Sequence, residues 1–130
     1  MCRTFGDYEA KRSSNGNPHV VIAKPEIKSF KVEDCHDFIV LGCDGIFDKM
    51  SNEECVSSIW NDIRTSHYES VHEAIGIGCE AVMKNSLHRR SLDNVTTVIV
   101  AFSGFKRAVA SSFLEQKEEA EKPRYRNLRA

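Results

Sequence analysis

The chain has 130 residues, the size of one domain, and its 41% hydrophobic and 28% charged residues are ordinary for a soluble globular protein. Its net charge of -1 gives no reason to expect a nucleic-acid or membrane partner. No apolar run approaches the length that spans a bilayer, and the N-terminus lacks the apolar core of a signal peptide. The cysteines form no CxxC pair, so we expect reduced thiols and a cytoplasmic or nuclear location.

The first third of the chain predicts a turn, a loop and weak strands. Gly6-Asp7 is typical of a turn, and the stretch from Arg12 to Pro18 has the composition of a flexible loop. A short strand is predicted over Val20–Ala23, before a proline that cannot donate to a ladder. The imperfect alternation over Glu26–Val32 predicts an edge strand or two short pieces.

An apolar run followed by an aspartate and a glycine is the most informative stretch. Phe38–Leu41 is rich in strand-forming residues and predicts a strand buried on both faces. A carboxylate at the end of such a strand, here Asp44, is well placed to hold an ion, because the following Gly45 lets backbone and ligand approach closely. The alternative is a hairpin turn at Asp-Gly. Only Ile46–Met50 separate it from a helix start at Ser51, which leaves little room for a returning strand.

Two amphipathic helices follow. Ser51 and Glu54 form a capping box, and the helix that it opens is predicted to end near Arg64 or Thr65. A second helix is predicted from about Tyr68 to Lys84, with a glycine on its packed stripe that favours a close approach to a neighbour. The apolar stripes comprise Cys55, Val56, Ile59, Trp60 and Ile63 in the first helix, and Val71, Ala74, Ile75, Gly78 and Val82 in the second.

The remaining segments predict a loop, a strand, a helix and a tail. Asn85–Ser91 is polar and basic, and predicts a loop. Val95–Phe102 is apolar or β-branched on both faces, which favours a central strand. Phe105–Glu121 can form a helix, and the charged end that follows it is typical of a disordered tail.

A second aspartate, Asp93, precedes the last strand. If the two strands are antiparallel neighbours, Asp44 and Asp93 lie at the same edge of the sheet. Two hard oxygen donors at one edge favour Mg²⁺ or Mn²⁺. The alternative for Asp93-Asn94 is a turn or a local cap, and Asp48 either assists from behind the site or accepts backbone hydrogen bonds.

Four motifs occur in one order: Arg3-Thr4-Phe5-Gly6-Asp7, Lys24-Pro25-Glu26-Ile27, Asp37 to Glu54, and Ser91 to Thr96. Together they closely resemble the metal-dependent type 2C (PPM) protein serine/threonine phosphatases, over Arg3 to about Phe102. The resemblance implies an α+β fold that is part of a four-layer α-β-β-α sandwich, in which two antiparallel sheets are flanked by helices. We expect residues 1–103 to be the C-terminal half of such a catalytic domain, and 104–130 to be helical and then a disordered charged tail.

The resemblance also implies an activity and a set of residues. The family hydrolyses phosphoserine and phosphothreonine on proteins with water activated by two Mg²⁺ or Mn²⁺ ions, and no catalytic residue is needed beyond the metal ligands. Asp44 and Asp93 match its metal-binding aspartates, while Gly45, Asp48 and Asn94 match supporting positions.

The N-terminal block carries a further match. Arg3, Gly6 and Asp7 match an SRxFGD block that we interpret as structural or near the site.

The family's DGHGG motif, which bridges the two metals, does not occur in this sequence. We therefore expect the chain alone to be inactive and to expose sheet edges and an apolar face. Expected partners are phosphoprotein substrates and a missing N-terminal half. Two alternatives stay open: an inactive phosphatase-like fragment that acts as a binding or regulatory module, and a structural piece that folds only with a complementary half.

Overall fold

The computed structural model describes residues 3–13 and 20–111. The chain divides into two compact units, Met1–Val32 and Glu33–Ala130. Among the described residues, no helix is both long enough and apolar enough to cross a membrane.

In the described part of the first unit, residues 8–13 form a short helix, α1 (Tyr8–Ser13). The predicted turn before it is confirmed, because Gly6 and Asp7 have positive φ angles of 65° and 48°. Asp7 caps the helix: the backbone N–H of Ala10 donates to its Oδ1 at 3.3 Å, and the N–H of Lys11 donates to its carbonyl oxygen at 3.1 Å.

Both strands predicted in this unit are wrong. The described residues contain only an isolated parallel bridge between Arg3 and Ile22, and no strand forms over Glu26–Val32. Ile27 is 81% exposed, so the alternating apolar side chains are not buried against a core. An alternating pattern becomes a strand only where a neighbouring strand supplies ladder hydrogen bonds, and the bridge at Ile22 supplies one contact of that kind.

The second unit packs helices on one face of a two-stranded antiparallel sheet. In this sheet Phe38 lies opposite Ala101, and Gly42 lies opposite Thr97. A further helix, α5, covers 103–111. The other elements are β1 (Phe38–Gly42), α2 (Asp44–Phe47), α3 (Asn52–Thr65), α4 (Val71–His88) and β2 (Thr97–Ala101).

The Asp-Gly pair starts a helix and is not a hairpin turn. Asp44 is the first residue of α2, and Cys43 before it is extended, with φ -83° and ψ 176°. The chain therefore leaves β1 directly into helical structure, and the hairpin alternative is wrong.

One face of the sheet carries the core. Phe38, Val40, Ile99 and Ala101 pack against a buried cluster supplied mainly by α3, α4 and α5. Phe38 also forms an aromatic group with Trp60 and Phe105, with ring centroids 5.4–5.8 Å apart. The fully buried members of the cluster include Ile46, Cys55, Ile59, Ile63, Tyr68, Val82 and Phe105.

The other face of the sheet is apolar and exposed. Leu41, Val98 and Val100 are 52%, 51% and 47% exposed, and in the register Leu41 lies opposite Val98. The prediction that both strands are buried on both faces is therefore wrong. The expectation of an exposed apolar sheet face is confirmed for these residues.

Helix α3 begins as predicted. The N–H of Glu54 donates to Ser51 Oγ at 3.2 Å, and the N–H of Ser51 donates to Glu54 Oε2 at 2.8 Å. The same Oε2 pairs with Arg89 Nη1 at 2.8 Å, and Arg89 also donates to the carbonyl of Lys49 at 3.0 Å. The Ser51 backbone hydrogen bond, followed by the Arg89 contact, lowers the pKa of Glu54. This contact joins the start of α3 to the end of α4.

Helix α4 differs from its predicted limits at both ends. It begins after Ser70, whose Oγ accepts the N–H of Glu73 at 3.1 Å, and not at Tyr68, whose ring is buried in the core. It also continues to His88 through the predicted loop, because Ser86 in that segment is fully buried and bonded. The polar composition of the segment concealed this buried position.

The two glycines of α4 have opposite surroundings. A methyl group on Gly78 would lie 2.9 Å from Ile59 Cγ2 and 3.3 Å from Ile99 Cδ1, whereas one on Gly76 would meet nothing within 4 Å. Gly78 thus lets α4 approach both α3 and the sheet, as the sequence predicted.

The structure describes four cysteines, and none of them forms a disulfide: Cys35, Cys43, Cys55 and Cys79. Burial raises the pKa of the Cys55 and Cys79 thiols, so both stay protonated near neutral pH.

Replacing each glycine of α4 by alanine should change stability in opposite directions. Gly76→Ala should raise the free energy of unfolding by about 0.5–1 kcal/mol, because alanine is the better helix former and the site is open. Gly78→Ala should lower the free energy of unfolding by about 1–2 kcal/mol. The added methyl group would press on Ile59 and Ile99, and this cost outweighs the gain in helix propensity. Urea denaturation followed by circular dichroism measures both values, and equal effects of the two variants would contradict the assigned close approach.

The Glu54–Arg89 contact should stabilise the fold in a pH-dependent way. Because folding lowers the pKa of Glu54, its contribution is complete above the unfolded pKa of about 4.3 and is lost as pH falls through the folded value. Glu54→Gln should therefore lower the melting temperature at pH 7, and this deficit should shrink as pH falls below the ordinary pKa of glutamate. Glu53→Gln, an exposed change in the same helical turn, is the control, and a pH-independent deficit for Glu54→Gln would refute the assignment.

Candidate metal centre

Pairing of the two strands brings the two aspartates to one edge of the sheet. Asp44 lies two residues beyond the end of β1 and Asp93 four residues before the start of β2, and the strands are antiparallel neighbours. The hydrogen bond from the N–H of Cys43 to the carbonyl of Thr96, at 3.3 Å, continues the pairing toward the aspartates. The sequence analysis placed the two aspartates at one edge of the sheet on the condition that the two strands are antiparallel neighbours, and β1 and β2 are so paired.

The two aspartates make the same local hydrogen bond, although Asp44 is helical and Asp93 lies in a bend. The N–H of Gly45 donates to Asp44 Oδ1 at 3.0 Å, and the N–H of Asn94 donates to Asp93 Oδ1 at 2.7 Å. Each carboxylate is thus oriented by the backbone of the next residue. Asp93 is exposed and Asp44 is half-buried, so both are accessible to solvent ions.

The two aspartate segments are in direct contact at a glycine. A methyl group on Gly45 would collide with the backbone carbonyl oxygen of Asn94 and would lie 3.5 Å from Asp93 Cβ. Gly45 itself is buried. The absent side chain is therefore what allows the segment after β1 to lie against the segment before β2. We call this contact between Gly45 and Asp93-Asn94 the junction.

A thiol connects the same two segments. Cys43 Sγ donates to the carbonyl oxygen of Asn94 at 2.9 Å and accepts the N–H of Thr96 at 3.2 Å. Cys43 also precedes the first residue of α2, so its side chain links the start of this helix to Asn94 and Thr96, which follow Asp93. The sequence analysis gave this residue no role, because a single cysteine without a partner carries no pattern.

Two serine hydroxyls meet at the carbonyl oxygen of Gly45. Ser86 Oγ donates to it at 2.6 Å and Ser91 Oγ at 2.8 Å. Ser86 is fully buried and lies on α4, while Ser91 lies in the segment that leads to Asp93. Ser91 belongs to a motif that the sequence analysis quoted, but Ser86 had no distinguishing signal.

Two of the predicted supporting residues, Asp48 and Asn94, make their contacts through backbone groups. Asp48 closes α2, where its backbone N–H donates to the carbonyl of Asp44 at 2.8 Å, and its side chain is exposed. Asn94 contributes its backbone carbonyl to Cys43, as described above.

Arg3, Gly6 and Asp7 belong to the first unit. Arg3 donates to the carbonyl of Lys24 at 2.7 Å and pairs with Glu26 at 2.9 Å, which holds the segment after the isolated bridge. Gly6 and Asp7 form the turn before α1. Their predicted place near the site stays a prediction.

The chemistry of the donors fits a hard divalent cation. The carboxylates of Asp44 and Asp93, whose following residues Gly45 and Asn94 are in contact, provide oxygen ligands of the kind that Mg²⁺ and Mn²⁺ prefer. Over residues 3–13 and 20–111, no group of three or more His, Cys, Asp or Glu side chains is arranged to hold a metal ion. The junction therefore presents a pair of candidate ligands, and not a three-ligand cluster.

Comparison with known proteins agrees with this arrangement of motifs. The family model "Protein phosphatase 2C" matches residues 1–95, a range that includes both aspartates. "Probable protein phosphatase 2C 72" of Arabidopsis thaliana is 31% identical over 119 residues, which cover 92% of this chain and 30% of the relative. "Protein phosphatase 1B" of Homo sapiens is 34% identical over 108 residues, which cover 79% of this chain and 21% of the relative.

The chain thus spans less than a third of the length of these relatives. No solved structure matches it. Because the family model covers well over half of the chain, from residue 1 to residue 95, the chain belongs to the protein phosphatase 2C family.

Proposed function

We propose that this chain supplies two metal-binding aspartates, Asp44 and Asp93, to a protein serine/threonine phosphatase. The reaction is metal-dependent hydrolysis of phosphoserine and phosphothreonine on protein substrates. The observation that carries this proposal is the junction, where Gly45 packs against Asn94 and brings the two aspartate backbones together. Family membership supports the reaction class.

The role of each residue follows from its contacts. When bound, two Mg²⁺ or Mn²⁺ ions would supply an activated water and charge neutralisation for phosphoryl transfer. Asp44 and Asp93 would hold such ions through carboxylate oxygens already oriented by the N–H groups of Gly45 and Asn94. Asp48 and Asn94 support the site through the backbone, by ending α2 and by anchoring Cys43.

We further propose that the chain is the C-terminal half of a catalytic domain built as a four-layer α-β-β-α sandwich. The exposed apolar face at Leu41, Val98 and Val100 supports this, since a second sheet would cover such a face. The chain spans less than a third of the length of its relatives, which is in keeping with a partial catalytic domain. We also propose a cytoplasmic or nuclear location, with which the absence of disulfides among Cys35, Cys43, Cys55 and Cys79 is in keeping.

A second function is favoured by the same exposed face. A phosphatase-like fragment without hydrolytic activity could use this apolar surface to bind a partner or to compete for substrates. This binding module would associate with its partner independently of divalent cations. Binding that persists in EDTA and in Asp44→Asn would favour it over the phosphatase.

The phosphatase role can be tested in a chimera. In human protein phosphatase 1B, the segment that this chain matches is replaced by the corresponding residues of the chain. We expect Mn²⁺-dependent hydrolysis of a phosphothreonine peptide. Asp44→Asn or Asp93→Asn should reduce the rate at least about 100-fold, the upper end of the cost of losing a partner that only supports a metal ligand. The chain alone should show little or no hydrolysis of p-nitrophenyl phosphate in millimolar Mn²⁺.

Controls make this test decisive. Glu53→Gln, an exposed acidic residue on α3, should leave the rate of the chimera unchanged. A chimera that melts cooperatively but retains activity in Asp44→Asn would refute the proposed ligand role. Robust Mn²⁺-dependent turnover by the chain alone, lost in Asp44→Asn, would refute its expected inactivity.

The junction itself predicts a separate effect. Gly45→Ala should destabilise the chain by about 1–3 kcal/mol, because the methyl group meets a backbone carbonyl that cannot rotate away. Gly42→Ala is the matched control, since its methyl group would meet only the side-chain atoms of Phe47 and Ile46. Urea denaturation of the two variants gives the comparison, and a smaller loss for Gly45→Ala than for Gly42→Ala would contradict the rigid contact.

A further inference from the structure

We propose that Ser86 and Ser91 act together as a clamp on the carbonyl oxygen of Gly45, and that this clamp sets the spacing between Asp44 and Asp93. Both serines are positioning residues, which act on the aspartates through the backbone of Gly45. The relevance of the spacing to a divalent cation rests on the proposed function, while the clamp itself does not.

The carbonyl of Gly45 needs partners from side chains. Helix α2 has only four residues, so it ends before this carbonyl can be used in a regular i to i+4 hydrogen bond. The N–H of Lys49, the residue four positions on, donates to Ile46 instead, at 3.0 Å. Since Gly45 is buried, an unpaired carbonyl here would be costly. The two hydroxyls provide both of its hydrogen bonds.

The end of α4 brings the two hydroxyls together. The N–H of Arg90 donates to the carbonyl of Leu87 at 2.9 Å, and the N–H of Ser91 donates to the carbonyl of Ser86 at 3.1 Å. Arg90 has φ +60°, so these bonds form a Schellman motif around a residue in the left-handed region. The motif turns the chain back over the last turn of the helix. Ser91 therefore reaches the same carbonyl as Ser86, although four residues lie between them.

The clamp connects the two candidate ligands through short covalent paths. Gly45 directly follows Asp44, and Ser91 lies two residues before Asp93. Ser86 is fixed by its burial in α4, and that helix packs on α3 and on the sheet through Gly78. Loss of both hydroxyls would leave a buried carbonyl without a partner and would remove the bond by which Ser91 holds the Asp93 segment to Gly45. The bonds of Cys43 to Asn94 and Thr96 would remain, so the segment would shift at its Asp93 end and would not detach.

The test uses the full 130-residue chain and compares Ser86→Ala, Ser91→Ala and the double variant. Mn²⁺ is the probe, and its dissociation constant is measured by electron paramagnetic resonance. Each single variant keeps one hydroxyl on the carbonyl and should weaken binding no more than about threefold. The double variant should weaken it by about 10-fold or more, in the range for lost supporting partners of metal ligands. Ser58→Ala, which removes a hydroxyl bond to the carbonyl of Cys55 within α3, should change nothing.

A conservative change separates the hydroxyl from general packing. Ser86→Ala combined with Ser91→Thr retains one hydroxyl and should bind Mn²⁺ as Ser86→Ala does. If the double alanine variant does not fold, a weaker Mn²⁺ affinity for Ser86→Ala/Ser91→Thr than for Ser86→Ala alone would overturn the clamp, since both keep one hydroxyl on the carbonyl. Equal losses for Ser86→Ala/Ser91→Thr and the double alanine variant, or a double loss no greater than the product of the single losses, would overturn the clamp.

A metal-free readout distinguishes failure of the clamp from failure of the proposed function. In the wild-type chain we expect a nuclear Overhauser effect between Gly45 Hα and Asp93 Hβ, because these groups are in contact across the junction. It should weaken strongly in the double variant and persist in Ser58→Ala. Its persistence in the double variant would overturn the clamp. A wild-type chain that shows this effect but binds no Mn²⁺ would uphold the clamp and count against the proposed metal role.

Discussion

The structure around the candidate metal centre depends on the close approach of two backbone segments at Gly45. Any side chain at this position would occupy the space of the Asn94 carbonyl oxygen, so the contact requires a glycine. From this contact follow the thiol bonds of Cys43 to Asn94 and Thr96 and the position of Asp93 beside Gly45. Backbone packing at this contact therefore limits how closely the two aspartate segments can approach each other.

Hydrogen-bond satisfaction explains why other residues gather at the same place. A helix of four residues following a strand leaves carbonyl groups without helical partners, and burial removes water as an alternative. Ser86 and Ser91 supply the missing donors, and Cys43 supplies bonds to the opposite segment. The two aspartate segments are thus held by side chains that bond to the backbone around Asp44 and Asp93.

The sheet formed by β1 and β2 has an exposed apolar face. Among the residues that the structure describes, helices cover one face of β1 and β2, and the opposite face exposes Leu41, Val98 and Val100. Complete burial of a side chain of this kind is worth about 1.5–3 kcal/mol, so the exposed face represents a substantial unused contribution to stability. An exposed apolar face favours contact with another surface. In the proposed phosphatase a second sheet covers this face, and in the proposed binding module a partner binds to it.

The sequence by itself determined the local elements and the candidate ligands. The capping box at Ser51 fixed the start of α3, the helical spacing of Ile59 and Ile63 fixed its packed face, and the position of Asp44 after β1 marked the site. These features depend on residues close together in the chain, where capping geometry and periodicity act directly.

Only the tertiary structure decided what depends on distant partners. It left residues 20–32 without a strand because no neighbouring strand pairs there, and it extended α4 to His88 because Ser86 finds a buried acceptor in Gly45. It also exposed the second face of the sheet, which a strand's own residues cannot reveal. Pairing, burial and close approach are relations between segments, and their energies appear only when the chain has brought those segments together.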